Sequence, residues 1–203
     1  MYKWLIVLCL LIVSNLQADV RVLALAGSSR KESFNKKLIN EAASVAKQMG
    51  AKVLVVDLKD YPMPFYNGDL ESTYGIPPRA KELRQLMAQS DVILISSPEY
   101  NASIPGELKN AIDWLSRKEP GDATRPAFDG KVFVLMSASP GRRGGARGLI
   151  HLRTVLEDVG ATILPQQLTV PSASTAFDQE GHLTNPQLKQ ELREILSHSL
   201  KNN

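Results

Sequence analysis

An uninterrupted apolar run at residues 92–95 constrains the fold of this chain most strongly. Such β-branched and aliphatic runs are typical of parallel strands that helices cover on both faces. The run leads into a polar segment, residues 96–106, in which Pro98 and Pro105 restrict the backbone. An amphipathic helix follows, with apolar side chains at Leu108, Ala111, Ile112 and Leu115. The pattern predicts a loop at the carboxyl edge of a parallel sheet, where ligands bind, with an ordinary strand-to-helix connection as the alternative.

The same alternation recurs along the chain. Further strands are predicted at residues 20–26, 52–57 and 131–136, with a short last strand at 162–164. Helices are predicted between them; the first ends at Gly50, and the last carries an apolar stripe through residues 188–196. Five strands alternating with helices predict an α/β fold, a parallel sheet with helices on both faces. The Pro- and Gly-rich segments at 59–69 and 118–130 are predicted to be irregular connections.

The first 18 residues differ from the rest in composition. Lys3 precedes an apolar run at residues 4–13, and a short polar stretch ends at Ala18. This pattern predicts a secretory signal peptide at residues 1–18 and a single domain at 19–203, exported to a compartment such as the periplasm. A cytoplasmic or membrane-anchored chain is the alternative. The one cysteine, Cys9, lies in this segment, so the exported chain would have no thiol chemistry.

Composition and charge exclude some functions. The chain has 203 residues, of which 43% are hydrophobic, enough for the core of one domain. Its net charge of +3 is scattered, so no nucleic-acid partner is predicted. The histidines, His151, His182 and His198, lack the spacing of metal ligands, and no metal site is predicted.

The segment after the first strand, residues 27–35, has the composition of an anion site. Ser28, Ser33 and Asn35 supply side-chain donors, Arg30 supplies a positive charge, and the following helix directs backbone amides at the same place. The glycine spacings of dinucleotide and Walker loops are missing, so a phosphate monoester fits better than a pyrophosphate. A simple helix-capping turn is the alternative.

The fourth strand ends in another loop of small residues, 137–147. Its exposed backbone amides would allow a flat ring to approach closely. The loop after the central strand is predicted to bind the same ring. Arg142, Arg143 and Arg147 either are solvated or bind a phosphorylated second substrate. One phosphate site beside two ring-binding loops indicates a mononucleotide such as FMN.

These residues carry a resemblance to a known family. The first motif comprises Gly27, Ser28, Arg30, Ser33 and Asn35. The second comprises Pro98, Glu99, Tyr100, Asn101, Ser103, Pro105 and Gly106, followed by residues 108–114. With the glycine-rich loop at 139–147 and the segment 151–153, they resemble the NADPH-dependent FMN reductase family, and most of all its chromate and quinone reductase branch. The resemblance covers the chain after Ala18.

The resemblance implies a flavodoxin-like three-layer sandwich, bound FMN, and a homodimer or homotetramer. It implies that the FMN phosphate is held by Ser28, Arg30, Ser33 and Asn35. It implies that the isoalloxazine ring is surrounded by Pro98, Glu99, Tyr100, Asn101, Ser137, Ser139, Gly141 and Gly144. The expected activity is that of an FMN-dependent oxidoreductase with NADPH or NADH as the electron donor. The acceptor would be a small molecule: a quinone, a dye or a metal oxyanion such as chromate.

No catalytic acid or base is predicted, because the cofactor carries the chemistry. Glu99 is the one candidate carboxylate, but its place in a ring-binding loop favours a positioning role. The main alternative is a non-enzymatic electron carrier of the flavodoxin type. Such carriers usually present an acidic face to partners, and the arginines near the third loop favour the enzyme. A chain that has kept the fold but lost the flavin is disfavoured because the motifs are intact.

Overall fold

A computed structural model describes residues 20–201, so the predicted signal peptide at 1–18 lies outside the described residues. A single five-stranded sheet forms the middle layer, in the order β2-β1-β3-β4-β5, with every neighbouring pair parallel. The strands are β1 Arg21–Ala26, β2 Lys52–Asp57, β3 Val92–Ser96, β4 Val132–Ala138 and β5 Thr162–Val170. The predicted parallel α/β sheet is confirmed.

Helices cover both faces of the sheet. Their bounds are α1 Phe34–Gln48, α2 Gly68–Tyr74, α3 Pro78–Ala88, α4 Gly106–Leu115, α5 Ala146–Asp158 and α6 Pro186–Lys201. On one face α1 and α6 bury an apolar cluster against the sheet, and on the other face α3, α4 and α5 bury a second cluster. The residues of β3 are all buried, as the apolar run predicted. Within residues 20–201, none of the helices combines the length and apolarity needed to cross a lipid bilayer.

The last strand is longer than predicted. β5 has 9 residues, and its pairing with β4 shifts register between Phe133 and Leu135. Residues 162 and 163 pair before the shift, and 167–170 pair after it. Pro165 lies in the irregular middle of this edge strand, where a missing amide is tolerated. The expectation of a short strand was wrong because proline and two glutamines interrupt its apolar pattern.

The connection after β2 is more regular than predicted. A 3-10 turn covers Leu58–Asp60, and α2 begins at Gly68. The Asn67 side chain caps α2, because its Oδ1 accepts hydrogen bonds from the amides of Asp69 (2.7 Å) and Leu70 (3.3 Å). This capping signal was overlooked among the surrounding prolines and glycines.

Helix α4 holds the same connection in place. Asn110 and Trp114 both donate side-chain hydrogen bonds to the carbonyl of Pro64, at 3.0 and 2.8 Å. The Tyr66 ring packs edge-on against Trp114, with centroids 5.0 Å apart. Tyr66 therefore covers the edge of the core, whereas the neighbouring Phe65 is 83% exposed.

The segment between β5 and α6, residues 171–185, is fastened to α1. His182 Nδ1 lies 2.6 Å from Oε2 of Glu41, whose carboxylate is nearly buried. This contact raises the pKa of His182 above its ordinary value. Phe177 stacks on Phe34 at a centroid distance of 6.4 Å, so the segment covers the first turn of α1.

The His182 contact predicts a pH-dependent contribution to stability. Because the folded-state pKa is raised, the contribution is complete below the unfolded value of about 6.5 and disappears as pH rises through the folded value. Urea unfolding of the wild type and of His182→Gln, measured from pH 5.5 to 9, should show a difference that shrinks with rising pH. Glu41→Gln should reproduce the effect. A difference independent of pH would contradict the ion pair.

Candidate functional site

Three loops meet at the carboxyl edge of the sheet. They follow β1, β3 and β4, and comprise residues 27–33, 97–105 and 139–145; we call them loops one, two and three. The ladder extends into the loops, because Gly27 N donates to the Ser96 carbonyl and Ser97 N donates to the Met136 carbonyl, both at 2.9 Å. β2 lies on one side of β1 and β3 lies on the other, so the direction of chain progression across the sheet reverses at β1. Loops one and two flank this switch point, which is where ligands bind in such folds.

Loop one places several hydrogen-bond donors close together, and these donors are not taken up by capping of α1. Ser33 occupies the N-cap of α1 with extended backbone, but its side chain makes no capping hydrogen bond. The amides of Phe34 and Asn35, at the first two positions of α1, have no acceptor within the helix. The Arg30 side chain is exposed and bonds no acceptor among residues 20–201. A helix-capping turn would have used the Ser33 hydroxyl, so this geometry favours the anion site.

Asn35 has a different place from the one that the resemblance implied. Its Nδ2 donates to the Ala138 carbonyl (2.9 Å), and its Oδ1 accepts from the Ala138 amide (2.9 Å) and the Ser96 hydroxyl (2.8 Å). The side chain is buried between α1, β3 and β4. The structure therefore gives Asn35 a positioning role in the wall of the site, where a direct phosphate contact was expected.

Two further residues hold loop one, and sequence reasoning missed both. Glu107 Oε1, from the first turn of α4, accepts a hydrogen bond from the Ser29 amide at 2.7 Å. Lys36 Nζ lies 2.6 Å from Asp57 Oδ2 and 3.4 Å from the Ser29 carbonyl. Burial alone would raise the pKa of Asp57, but the hydrogen bonds and charge of Lys36 and Lys59 together outweigh it, and the net pKa is lowered.

Loop two contains a rigid turn. Tyr100 and Ser103 exchange backbone hydrogen bonds, each 2.9 Å long. The two central residues, Asn101 and Ala102, have φ values of 51° and 63°. Asparagine adopts this left-handed conformation readily, but alanine does so at a cost of about 1–2 kcal/mol. The turn presents the exposed side chains of Tyr100 and Asn101 beside the buried Pro98.

Glu99 joins loop two to α5. Its Oε1 accepts from Arg147 Nε (2.9 Å) and Nη2 (2.5 Å), and its Oε2 accepts from the Gly148 amide (3.0 Å). Burial opposes ionisation of this carboxyl, but the bonds from Arg147 and Gly148 outweigh it and lower the pKa of Glu99. A carboxylate committed to these donors fits the expected positioning role.

Loop three is also fixed to its neighbours. Ser137 is buried, and its hydroxyl donates to the Ser97 carbonyl at 2.6 Å. Gly145 lies against it, since a Cβ there would come 1.9 Å from Ser137 Oγ. Gly144, with φ of 58°, packs on the backbone of residues 170 and 171. Ser137 therefore links β4 to loop two, and Gly144 seats loop three on the end of β5.

The outer part of loop three is more open. Ser139 Oγ accepts from the Gly141 amide at 3.3 Å, and Gly141 is exposed. These are the predicted ring-binding positions of this loop that remain accessible. Among residues 20–201, no cluster of histidine, cysteine and acidic side chains is placed to hold a metal.

The arrangement fits FMN. The uncapped N-terminus of α1, the free Arg30 guanidinium and the hydroxyls of Ser28 and Ser33 provide donors for a phosphate. Loops two and three lie next to them at the same edge and are stiffened by the bonds of Glu99 and Ser137. A phosphate site beside two rigid loops matches a mononucleotide with a flat ring.

Comparison with known proteins identifies the family. The family model described as NADPH-dependent FMN reductase matches residues 20–175. The chain belongs to this family. As an NADPH-dependent FMN reductase family member, it is an oxidoreductase that binds FMN and takes electrons from NAD(P)H.

Known relatives are similar to this FMN reductase family member over most of their length. An NAD(P)H-dependent FMN reductase of Pseudomonas aeruginosa is 35% identical, over 90% of this chain and 92% of its own. An NAD(P)H:quinone oxidoreductase of Solanum tuberosum is 37% identical, over 89% and 91%. The solved structure of a flavoenzyme NAD(P)H:(acceptor) oxidoreductase from Paracoccus denitrificans superposes with a TM-score of 0.73 at 27% identity, over 90% of this chain and 96% of that one.

Flavodoxins share the architecture. Flavodoxin 1 of Bacillus cereus superposes with a TM-score of 0.58 at 12% identity, over 91% of this chain and 99% of its own. This likeness shows the fold alone, and it confirms the flavodoxin-like arrangement that the resemblance implied.

Loop one predicts that affinity for FMN depends on its phosphate. Arg30→Ala should weaken FMN binding by about 1.5–3 kcal/mol, because the charged hydrogen bonds of the guanidinium are lost. Fluorescence titration of the apoprotein measures the dissociation constant. Riboflavin, which lacks the phosphate, is the matched control: it should bind the wild type more weakly and respond little to the substitution. Equal losses of affinity for FMN and riboflavin would show that loop one is a structural turn and not a phosphate site.

Proposed function

We propose that this FMN reductase family member passes electrons from NAD(P)H to quinones, dyes or metal oxyanions such as chromate. The observation that carries the proposal is the free donor set of loop one beside two stiff loops, at the switch point of the sheet. Relatives named quinone reductases, in Solanum tuberosum and in Escherichia coli, support a quinone as the acceptor. They also favour the enzyme over a flavodoxin-type carrier.

The chain's own residues bind and orient. Ser28, Ser33 and Arg30 would hold the phosphate, and Glu107 and Lys36 fix the loop that presents these donors. Bound FMN supplies the hydride acceptance and electron transfer. Loops two and three would hold the flavin ring, with Tyr100 among the residues that contact it. No acid–base residue is needed, which agrees with the commitment of Glu99 to Arg147.

The visible spectrum of the purified protein tests the proposal. Protein from a flavin-sufficient host should be yellow, and NADPH added without air should bleach it. A quinone added afterwards should restore the colour, and chromate should do so if metal oxyanions are acceptors. Apoprotein stripped of FMN is the control and should oxidise no NADPH. A yellow protein that dithionite bleaches but neither NADPH nor NADH does would be a carrier instead.

We further propose a homo-oligomer. An apolar groove of about 450 Å³ lies between α4 and α5. Its walls include Ile104 and Val155, and Ile150 on α5 is 62% exposed. An apolar side chain beside an apolar groove permits two copies to fill each other's groove, which supports the homodimer or homotetramer that the resemblance implies.

We also propose that the protein works outside the cytoplasm, on the sequence pattern of residues 1–18 alone. The segment lacks twin arginines, so the chain would cross the membrane unfolded and bind FMN after export. The mass of the native protein from fractionated cells tests this: export predicts a chain that begins at Asp19. A chain that begins at Met1 in the soluble cytoplasm would contradict export and leave the flavin site unaffected.

A further inference from the structure

Two arginines of loop three have no acceptor in the part of the chain that the structure describes. The side chains of Arg142 and Arg143 are exposed and bond nothing among residues 20–201. Most other arginine side chains in this range do bond acceptors: Arg21, Arg79, Arg84, Arg117, Arg153 and Arg193. Adjacent guanidinium groups repel each other unless an anion lies between them, so this pair is a candidate binding group.

The backbone holds these two arginines at the corner of a fixed turn. Gly144 N donates to the Gly141 carbonyl at 3.1 Å, which places Arg142 and Arg143 at the two central positions. The turn is seated on the segment after β5, because Gly144 packs on Val170. The backbone that carries both arginines is therefore fixed before an anion binds, and only their side chains need to be ordered.

The local acids are already committed. Glu99, which lies beside loop three, binds Arg147 and the Gly148 amide. Glu107 binds the Ser29 amide. Neither of these carboxylates neutralises Arg142 or Arg143, so within residues 20–201 the pair remains available to an external anion.

This anion is not the phosphate of FMN. Loop one supplies its own donors at the N-terminus of α1. β3 lies between β1 and β4, so loops one and three start about 10 Å apart at the usual strand spacing. Loop three is one of the two loops predicted to hold the flavin ring, and a second substrate must approach that ring.

Resting on the proposed function, we propose that Arg142 and Arg143 form a second anion subsite, which binds a phosphate group of the nicotinamide dinucleotide that donates the hydride. Arginine binds phosphate through two parallel hydrogen bonds, and quinone acceptors carry no charge for such a site. The phosphate is either the 2′-phosphate, found only in NADPH, or the pyrophosphate, shared with NADH. In the first case the pair makes the enzyme prefer NADPH.

Steady-state kinetics of the FMN-loaded enzyme test the subsite. The double variant Arg142→Ala/Arg143→Ala should raise KM for NADPH about 10- to 100-fold, the loss of one or two charged hydrogen bonds, at unchanged kcat. A 2′-phosphate contact leaves KM for NADH unchanged, whereas a pyrophosphate contact raises both equally. Arg125→Ala is the matched control: that side chain also lacks an acceptor among residues 20–201 but precedes β4 at the opposite edge of the sheet.

Binding of adenosine 2′,5′-bisphosphate, measured by calorimetry, gives a second result that needs no turnover. The double variant should bind it at least 10-fold more weakly when the 2′-phosphate is the contact, and ADP serves as the probe for the pyrophosphate. Arg142→Lys/Arg143→Lys, which keeps the charge, should lose less. Because exposed side chains are changed, the FMN dissociation constant should stay the same.

Two results would overturn the subsite. One is an unchanged KM and unchanged probe binding in the double variant. The other is a change confined to the FMN dissociation constant or to the KM for chromate. Failure of the proposed function looks different. In that case the wild type oxidises neither NADPH nor NADH, and the calorimetric comparison still decides whether Arg142 and Arg143 bind phosphate.

Discussion

The buried amide of Asn35 joins the first turn of α1 to the ends of β3 and β4 through three hydrogen bonds. Removing it would leave the Ala138 amide and carbonyl unpaired in the interior, at about 1–3 kcal/mol for each group. The N-terminus of α1 is thereby kept at the carboxyl edge, beside loops two and three. This side chain, together with the bonds of Glu107 and Lys36 to loop one, sets the position of the phosphate donors relative to the ring-binding loops.

Loops two and three are stiffened by a second set of contacts. Glu99 fixes loop two to the start of α5, and Ser137 fixes β4 to the carbonyl of Ser97. The turn at Asn101 and Ala102 stores backbone strain, which persists only because neighbouring contacts determine it. A rigid cradle suits a reaction in which the cofactor supplies the chemistry and the protein supplies orientation.

Charge is distributed differently at the edge and in the body of the protein. Most arginines in the body are paired with local acceptors, as Arg21 is with Asp91; Arg125 is an exception among residues 20–201. At the carboxyl edge Arg30, Arg142 and Arg143 are free among residues 20–201, while the neighbouring Glu99 is already paired. These exposed guanidinium groups bond water, which an anionic ligand can replace. The edge is therefore prepared for phosphate groups on two separate loops.

Local sequence pattern was enough to predict the parallel α/β sheet, and it is the basis of the prediction that loop one binds a phosphate at the carboxyl edge. Burial on both faces makes β3 wholly apolar, and an anion site needs hydroxyls and arginine within a few residues, as Ser28 to Ser33 provide. The tertiary structure decided the rest: Asn35 bonds Ala138, 103 residues away, and Glu107 bonds Ser29, 78 residues away. Such partners depend on strand register and helix placement, which no short window contains. The bulge around Pro165 hid most of β5 for the same reason, because only pairing with β4 makes that segment a strand.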